Sequence, residues 1–286
     1  MTTAQLEIEF TTRLQSLYDD REANNIADWV FENVTGLKRW ERRENKNKEL
    51  NETDLGKLKK DLEELLNQKP VQYVLNEAWF YKMKFFVNEN VLIPRPETEE
   101  LVEWIVSDLK KQKDSKATNI MDIGTGSGCI PIALKKELPE TNITAIDVSE
   151  KALSVAKKNA SELQVTIDFF KIDFLEENER QALSQYDIIV SNPPYIPINE
   201  KEILSKNVTD FEPGIALFVA NNDPFIFYKK IANFSKTHLN QGGKIFVEIH
   251  EEYAKQVMII FENTGLICET KKDIYGKERM IKAKKA

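Results

Sequence analysis

The sequence predicts an α/β fold, in which a sheet of mostly parallel strands follows a small helical bundle. Two observations lead to this prediction. The last two thirds of the chain alternate short apolar, β-branched runs with amphipathic segments, which is typical of strands joined by helices. The first third repeats apolar residues at helical spacing instead. We expect a helical bundle over residues 1–75, a β-hairpin linker over 76–92 and an α/β domain over 93–286.

Composition limits the function classes. Hydrophobic residues make up 41% and charged residues 30% of the 286 positions, which is ordinary for a soluble globular protein. No apolar run approaches the roughly 20 residues that cross a bilayer, and the acidic N-terminus lacks a signal core. The net charge of −7 argues against a protein that wraps duplex nucleic acid. We expect a cytoplasmic protein without membrane or direct nucleic-acid contacts, and no feature demands more than a monomer.

Metal and disulfide chemistry are not indicated either. The chain has two cysteines, Cys129 and Cys268, and they lie far apart without C-x-x-C spacing. It has two histidines, which are too few for a histidine metal cluster. We therefore expect no metal.

Three apolar stripes predict three helices in the N-terminal third. Gly36 is suited to end the second helix, Asn51–Asp54 to cap the third and Pro70 to stop it. The charged run Lys38–Arg43 between the helices has two interpretations, a solvated loop or a contact surface for a macromolecular partner. The stripes comprise Leu6, Phe10, Leu14 and Leu17; Ile26, Trp29, Val30 and Val34; and Leu55, Leu58, Leu62 and Leu65.

The connection to the α/β domain is rich in aromatic residues. The run from Trp79 to Val87 predicts a β-hairpin, which would fix the orientation of the bundle. Pro94 and Pro96 with the acids that follow are a helix-start signal, and Leu101, Trp104 and Ile105 supply the apolar face.

A glycine-rich turn follows the first strand of the α/β domain. The strand 119–123 runs into Gly124-Thr125-Gly126-Ser127-Gly128 and then into a helix to about Lys136. Strand, glycine turn and helix form the front of a nucleotide-binding unit, because glycine lets the backbone approach a ligand at a helix N-terminus. The dinucleotide fingerprint G-x-G-x-x-G fails at Cys129, and no Lys-Ser/Thr pair makes a phosphate-binding P-loop.

Acids follow the next two strands. Asp147 ends the strand 142–146, where a carboxylate suits a ribose diol. A third strand over 165–169 leads to Asp173, which can accept a hydrogen bond from an adenine amino group while Phe174 packs against the ring. Taken singly, Asp173 is equally well a solvated turn acid.

The fourth strand, 187–190, ends at Asn192-Pro193-Pro194-Tyr195. The two prolines make the loop stiff and extended. The Asn192 carboxamide oxygen and the Pro193 carbonyl can accept the two hydrogens of a planar NH2 group, and Tyr195 offers a face for stacking. Such a grip directs the nitrogen lone pair toward an electrophile. Glycine turn, both acids and this loop fall at one edge of one sheet.

This layout resembles the class I methyltransferases that use S-adenosylmethionine (SAM), and more narrowly the HemK/PrmC family of release-factor glutamine methyltransferases. The matching motifs cover nearly the whole chain in order. They are Pro70-Val-Gln-Tyr73, Leu92-Ile-Pro-Arg-Pro-Glu-Thr-Glu99, Asp122 through Ile130, Ser191 through Ile196, Phe211-Glu-Pro213 with Ala216-Leu217, and Asp273 through Arg279. Two departures are Asn76, where the family usually has glycine, and the glycine-free loop Ala220–Asp223.

The resemblance implies a Rossmann-like methyltransferase domain with a fifth strand over 243–249 and two closing strands, antiparallel at the edge, in 265–286. It implies that Gly124–Gly128, Asp147 and Phe174 bind SAM, in contact with Asn192, and that Asn192–Tyr195 hold the target. We add Asp173 to the cofactor site on physical grounds. Glu212 has two interpretations, a residue lining the substrate crevice or a turn cap.

The implied reaction is transfer of the SAM methyl group to the side-chain amide nitrogen of the glutamine in the Gly-Gly-Gln motif of class I peptide chain release factors. The bundle would then take part in recognising the release factor. The alternative is a DNA adenine-N6 methyltransferase, since the same loop would hold an adenine NH2. An NAD-binding or catalytically silent domain is a third possibility. The acidic charge and the lack of an extended base-reading region oppose the DNA alternative. The missing third glycine opposes NAD binding, and the intact Asn-Pro-Pro-Tyr loop opposes a silent domain.

Overall fold

The computed structural model describes residues 2–111 and 118–286 of the chain. It divides into two compact units, one formed by Met1–Glu77 with Ser205–Phe211 and one by Ala78–Leu204 with Glu212–Ala286.

The first unit is helical. The three predicted helices are confirmed as α1, α2 and α4, and two short helices accompany them. Asp19 and Asn51 cap α2 and α4 through their side chains, and Gly36 ends α2 with a left-handed φ of 69°. The helices are α1 (Thr3–Leu14), α2 (Asp20–Thr35), α3 (Arg39–Glu44), α4 (Glu52–Leu66) and α5 (Val71–Leu75). Leu17 does not extend the first stripe, because it lies beyond α1 and is exposed.

The charged run after α2 is not a loop. Residues 39–44 form α3, and its Arg42 side chain is only 1% exposed. Arg42 donates to Asp28 Oδ1 at 2.6 Å and to the Leu37 carbonyl at 2.8 Å, and it also pairs with Glu7. The expectation of a solvated loop is therefore wrong at this residue: Arg42 is buried because two carboxylates and a carbonyl satisfy its guanidinium.

The predicted hairpin is present at the start of the second unit. Strand β1 (Ala78–Phe80) pairs antiparallel with β2 (Met83–Phe85). The two turn residues, Tyr81 and Lys82, have positive φ angles of 50° and 61°, which two-residue hairpin turns require. Tyr81 is held there by its backbone N–H to Glu99 and its hydroxyl to Glu103.

The rest of the second unit alternates strands and helices around a seven-stranded sheet. The remaining helices are α6 (Pro96–Lys110), α7 (Cys129–Glu137), α8 (Glu150–Glu162), α9 (Glu177–Arg180), α10 (Lys206–Thr209, in the first unit), α11 (Gly214–Leu217), α12 (Ile226–His238) and α13 (Ala254–Glu262), with 3₁₀ turns at Ile198–Ile203 and Glu251–Tyr253. The remaining strands are β3 (Asn119–Ile123), β4 (Asn142–Asp147), β5 (Asp168–Lys171), β6 (Tyr186–Ser191), β7 (Ile196–Pro197), β8 (Phe218–Val219), β9 (Leu239–Glu248), β10 (Leu266–Lys272) and β11 (Glu278–Lys285).

The sheet has the order β10-β11-β9-β6-β3-β4-β5. Strands β9, β6, β3, β4 and β5 run parallel, and β11 is antiparallel to both of its neighbours. The parallel α/β sheet and its antiparallel edge were predicted and are confirmed. The third predicted strand is shifted, since β5 begins at Asp168 rather than at Val165. Val165 and Ile167 pack against the core but precede β5, so their apolar pattern reflects partial burial and not strand pairing.

Apolar residues of both sheet faces form two cores. One core lies around β9, β11, α12 and α13, and the other around α6, α7 and the hairpin. Strand order reverses between β3 and β6, so the connections leave to opposite sides at that point. In open α/β sheets this is where a crevice forms at the carboxyl ends of the strands.

Candidate active site

The two central strands are tied together where they end. Ser191 is fully buried at the end of β6, and its hydroxyl donates to the Ile123 carbonyl of β3 at 2.8 Å. The loops that follow, Gly124–Gly128 and Asn192–Tyr195, therefore leave the sheet side by side.

The glycine loop has the backbone that its sequence predicts. Gly124, Gly126 and Gly128 have φ angles of 75°, 54° and 80°, a region that favours glycine. At Gly126 a Cβ would meet no atom within 4 Å, so the loop presents bare backbone to open space. At Gly128 a Cβ would lie 3.1 Å from the Ala156 side chain, so this glycine lets α7 pack against α8.

Asp147 at the end of β4 closes the loop from the other side. Its carboxylate accepts from the backbone N–H of Gly126 and of Ser149, both at 2.9 Å. Burial raises the pKa of Asp147, and these N–H groups oppose the rise. The acid thus holds the loop and still contributes to the cavity wall.

Asp122, one position before the end of β3, is a buried acid that the sequence analysis did not single out. Both of its carboxylate oxygens and the Thr125 hydroxyl are buried, and none makes a hydrogen bond of good geometry with a described residue. Burial raises the pKa of Asp122 to about 7; the nearby Thr125 hydroxyl opposes the rise, and Asp147 adds to it. Unsatisfied buried polar atoms of this kind indicate that a ligand or water completes the site.

Asp173 and Phe174 follow β5. Asp173 Oδ1 accepts from the Leu175 backbone N–H at 2.9 Å, and Phe174 packs edge-on against Phe234 at 5.4 Å between ring centroids. Both residues contribute to the cavity wall, Asp173 at a turn and Phe174 from the core.

The Asn-Pro-Pro-Tyr loop is joined to a buried acid. Asn192 Nδ2 donates to Thr98 Oγ1 at 3.0 Å, and Thr98 donates to Glu248 Oε2 at 2.7 Å. The Tyr195 hydroxyl donates to Glu248 Oε1 at 3.1 Å. Burial raises the pKa of Glu248, whereas the hydroxyls of Thr98 and Tyr195 and the charge of Arg279 oppose the rise. Burial also raises the pKa of Tyr195, which stays a hydroxyl donor at neutral pH.

Glu212 matches neither of its two interpretations. Its side chain is 2% exposed and accepts from the Ile93 backbone N–H at 3.2 Å and from Arg95 Nη2 at 2.6 Å. It therefore holds the segment before α6, and Arg95, rather than Glu212, is part of the cavity wall.

One cavity of about 210 Å³ brings most of the predicted site residues together. Gly128 and Tyr195 are not part of its wall; Gly128 lies at the start of α7 and Tyr195 against Glu248. The predicted residues that line it are Gly124, Thr125, Gly126, Ser127, Asp147, Asp173, Phe174, Asn192, Pro193 and Pro194.

Sequence reasoning missed Asp122, Thr98 and Glu248. Asp122 and Glu248 shared one sequence signal, since each is an acid near the carboxyl end of a strand and directly follows apolar residues. Thr98 carried none, because it lies within a run of helix-start acids.

Neither a membrane-spanning helix nor a metal cluster is found among the described residues. No helix among them is long and apolar enough to span a bilayer. In the same residues, no three His, Cys, Asp or Glu side chains come together as metal ligands would.

Two family models match the chain. The first, described as "PrmC N-terminal domain", matches residues 5–75, and the second, described as "Methyltransferase small domain", matches residues 102–211.

Relatives match over most of the chain. A protein of Flavobacterium psychrophilum named "Release factor glutamine methyltransferase" is 42% identical over 275 residues, covering 96% of each chain. One of the same name from Bacteroides thetaiotaomicron is 43% identical over 220 residues, covering 77% of each. Among solved structures, a methyltransferase from Pyrococcus furiosus aligns with a TM-score of 0.51 at 16% identity, covering 72% of this chain and 91% of its own. That structure supports the α/β methyltransferase fold alone.

Proposed function

We propose a function from one premise: this chain belongs to the family of release factor glutamine methyltransferases. Its reaction is transfer of the methyl group of SAM to the side-chain amide nitrogen (N5) of a release-factor glutamine. The finer proposal is that this glutamine is the one in the Gly-Gly-Gln motif of class I release factors. The observation that carries the proposed reaction is that the glycine loop and Asn192–Pro194 line one cavity.

The residues around the cavity fit SAM, the methyl donor of this family. Bare backbone at Gly126 leaves room for a ligand beside Asp147, and the buried Thr125 hydroxyl in the cavity wall makes no hydrogen bond of good geometry with a described residue. We propose that Gly124–Gly128, Asp147, Asp173 and Phe174 form the cofactor site, with Gly128 acting through helix packing. When bound, SAM supplies a sulfonium-activated methyl group.

The protein's own contribution is to hold the glutamine amide. An amide nitrogen is a poor nucleophile because its lone pair is delocalised. We propose that Asn192 Oδ1 and the Pro193 carbonyl accept the two amide hydrogens and orient the lone pair toward the methyl group. Pro193 and Pro194 keep these acceptors rigid. Tyr195 supports the loop through the hydrogen bond from its hydroxyl to Glu248.

No general base is required for the transfer itself. The nitrogen becomes acidic once it is alkylated and releases its proton afterwards. The rate therefore depends on positioning and on exclusion of water rather than on a titrating side chain.

The test is incubation with labelled methyl-SAM and a purified class I release factor, followed by peptide mass analysis. We expect one methyl group on the glutamine of Gly-Gly-Gln and none when that glutamine is replaced by alanine. A duplex DNA arm addresses the adenine alternative, which the comparisons do not favour, and should stay unlabelled. Label on adenine, or on the alanine variant of the release factor, would contradict the proposal.

A further inference from the structure

Three side chains that are distant in sequence form a chain of hydrogen bonds behind the proposed amide grip. Asn192 follows β6, Thr98 lies in the first turn of α6 and Glu248 ends β9. Asn192 Nδ2 donates to Thr98 Oγ1 at 3.0 Å, and Thr98 Oγ1 donates to Glu248 Oε2 at 2.7 Å. Thr98 and Glu248 are each 2% exposed, so water does not compete for these bonds.

The direction of this chain is set by Glu248. An ionised carboxylate accepts hydrogen bonds and donates none, and a hydroxyl has one proton to give. Because Thr98 gives its proton to Glu248, only its lone pairs remain for Asn192. A carboxamide can meet a lone pair with its NH2 group but not with its oxygen.

The hydrogen bond from Nδ2 also fixes where the carboxamide oxygen of Asn192 lies. With Nδ2 bound to Thr98, Asn192 Oδ1 is left without a hydrogen bond from any described residue, and Asn192 lies in the cavity wall. If the carboxamide were turned over, it would present NH2 to the NH2 group of the target. Two donors would then face each other, and the grip would fail.

We propose that Thr98 and Glu248 are positioning residues that hold the Asn192 carboxamide with its oxygen toward the target amide. This inference rests on the proposed function, in which Asn192 accepts from that amide.

Glu248 also holds the far end of the same loop. Its second oxygen accepts from the Tyr195 hydroxyl at 3.1 Å, and its backbone carbonyl accepts from the buried Tyr228 hydroxyl at 3.0 Å. One carboxylate thus bonds to Tyr195 directly and to Asn192 through Thr98. Register explains the arrangement: Ser191 pairs with Val247, so Asn192 and Glu248 are the next residues on neighbouring strands.

The first test compares Thr98→Val with Thr98→Ser. Valine keeps the shape of threonine but removes the hydroxyl, whereas serine keeps the hydroxyl. We expect valine to lower kcat on a release factor on the order of tenfold, the effect of losing one buried hydrogen bond. The release-factor KM and the SAM affinity should stay within about twofold, since neither depends on the amide's orientation. Serine should restore most of kcat.

Thr141→Val is the matched control. Thr141 is also buried, and its hydroxyl bonds to the Leu138 carbonyl at 2.7 Å, away from the cavity wall. It undergoes the same chemical change, so it reports the effect of removing a buried threonine hydroxyl as such. We expect its kcat to match that of the wild type.

Glu248→Gln is the second, independent variant. Glutamine has the same shape but carries an NH2 donor, which would conflict with the hydroxyl of Thr98 or of Tyr195. We expect a fall in kcat at least as large as that of Thr98→Val, again with SAM affinity retained. Melting temperatures identify which variants are folded at the assay temperature.

Several results would overturn the positioning role. They are a kcat within twofold of the wild type in either folded variant, an equal loss in Thr98→Ser, an equal loss in Thr141→Val, or a loss explained by weaker SAM binding. Unfolding of both Thr98→Val and Glu248→Gln would also overturn it in favour of a purely structural role. If the wild-type protein itself failed to methylate the glutamine, the proposed function would fail instead, so the two failures are distinguishable.

Discussion

Arg42 and Asp122 are both buried ionisable side chains, but Arg42 is paired and Asp122 lacks partners of good geometry. In the helical unit, Arg42 reaches two carboxylates and a carbonyl. In the α/β unit, neither oxygen of Asp122 has a hydrogen bond of good geometry with a described residue, and the nearby Thr125 hydroxyl only partly opposes the rise in its pKa. A buried charge without partners costs free energy, whereas a fully paired one is tolerated. The difference separates a residue whose charge is paired within the fold from one whose carboxylate lacks partners of good geometry.

Asn192 resembles Asp122 in one respect, since its carboxamide oxygen accepts no hydrogen bond from a described residue, but Asn192 lies in the cavity wall and Asp122 does not. We expect Asn192→Ala to lower kcat by roughly 100- to 1000-fold, the usual effect of removing one positioned hydrogen-bonding group from a transition state. Equilibrium titration should give a SAM affinity within about threefold of the wild type. Asn263→Ala, at an exposed helix end, is the control and should leave both unchanged. Equal losses of turnover and SAM affinity would contradict the role.

Arg42→Ala tests how much the paired, buried arginine contributes to stability. It leaves Glu7 and Asp28 without their shared partner, and we expect a loss of about 2–4 kcal/mol in the free energy of unfolding. This loss is somewhat smaller than that expected for a fully buried ion pair, because the side chains of Glu7 and Asp28 are 30% and 31% exposed and water can solvate them. Denaturant unfolding of the whole chain measures it. A loss below about 1 kcal/mol in the free energy of unfolding would mean that the cluster of Arg42, Glu7 and Asp28 contributes little to stability.

Asp122→Asn tests the unpaired acid through the pH dependence of protein stability. The pKa of Asp122 is raised from 3.8 to about 7, so the folded protein binds the proton more tightly than the unfolded chain. Stability from this group is therefore present at low pH and lost as pH rises through about 7, by at most roughly 4 kcal/mol. Without SAM, we expect the variant to gain melting temperature over the wild type most at pH 8, by a smaller amount at pH 5 and little below about pH 4, the unfolded pKa. SAM affinity should fall.

The matched variant is Asp187→Asn, because Asp187 is a paired strand acid. It accepts from the Asn119 backbone N–H at 2.8 Å and from Asn240 Nδ2 at 2.7 Å. Its replacement should lower stability rather than raise it. A gain at Asp187 equal to that at Asp122 would remove the distinction between paired and open acids.

Arg39→Ala gives the smallest expected effect and is the control for Arg42. Arg39 lies three positions before Arg42 on α3 and also binds Asp28, at 3.0 Å, but its side chain is 55% exposed. Exposed ion pairs contribute about 0–1 kcal/mol. We expect unfolding to change by less than about 1 kcal/mol. A loss as large as that of Arg42→Ala would show that charge, and not burial, decides the effect.

Sequence was sufficient where a local pattern sets local structure. Apolar spacing predicted α1, α2 and α4, and the glycine loop and the ends of four parallel strands predicted the edge at which the cavity lies. Each of these depends on neighbours in sequence or on the rule that parallel strands end together. The cavity-lining residues among the site predictions followed from that rule.

Sequence was insufficient where a partner lies far along the chain. Arg42 looked solvated because its partners Glu7 and Asp28 are on other helices. Thr98 and Glu248 are 150 positions apart, and nothing in either neighbourhood indicates a bond between them. The shift of β5 has a different cause, since Val165 and Ile167 are partly buried against the core without belonging to a strand. Such contacts are tertiary, and local secondary-structure propensities do not predict them.

The spread of the hydrogen-bonded trio along the chain also bears on its synthesis. A ribosome that has made Thr98 and Asn192 has not yet made Glu248, and β9 can pair with β6 only after the chain has emerged beyond that point. Contacts between residues so far apart in sequence also form slowly during folding. A nascent chain could thus carry the glycine loop early, yet its Asn192 carboxamide would gain a defined orientation only among the last events of folding.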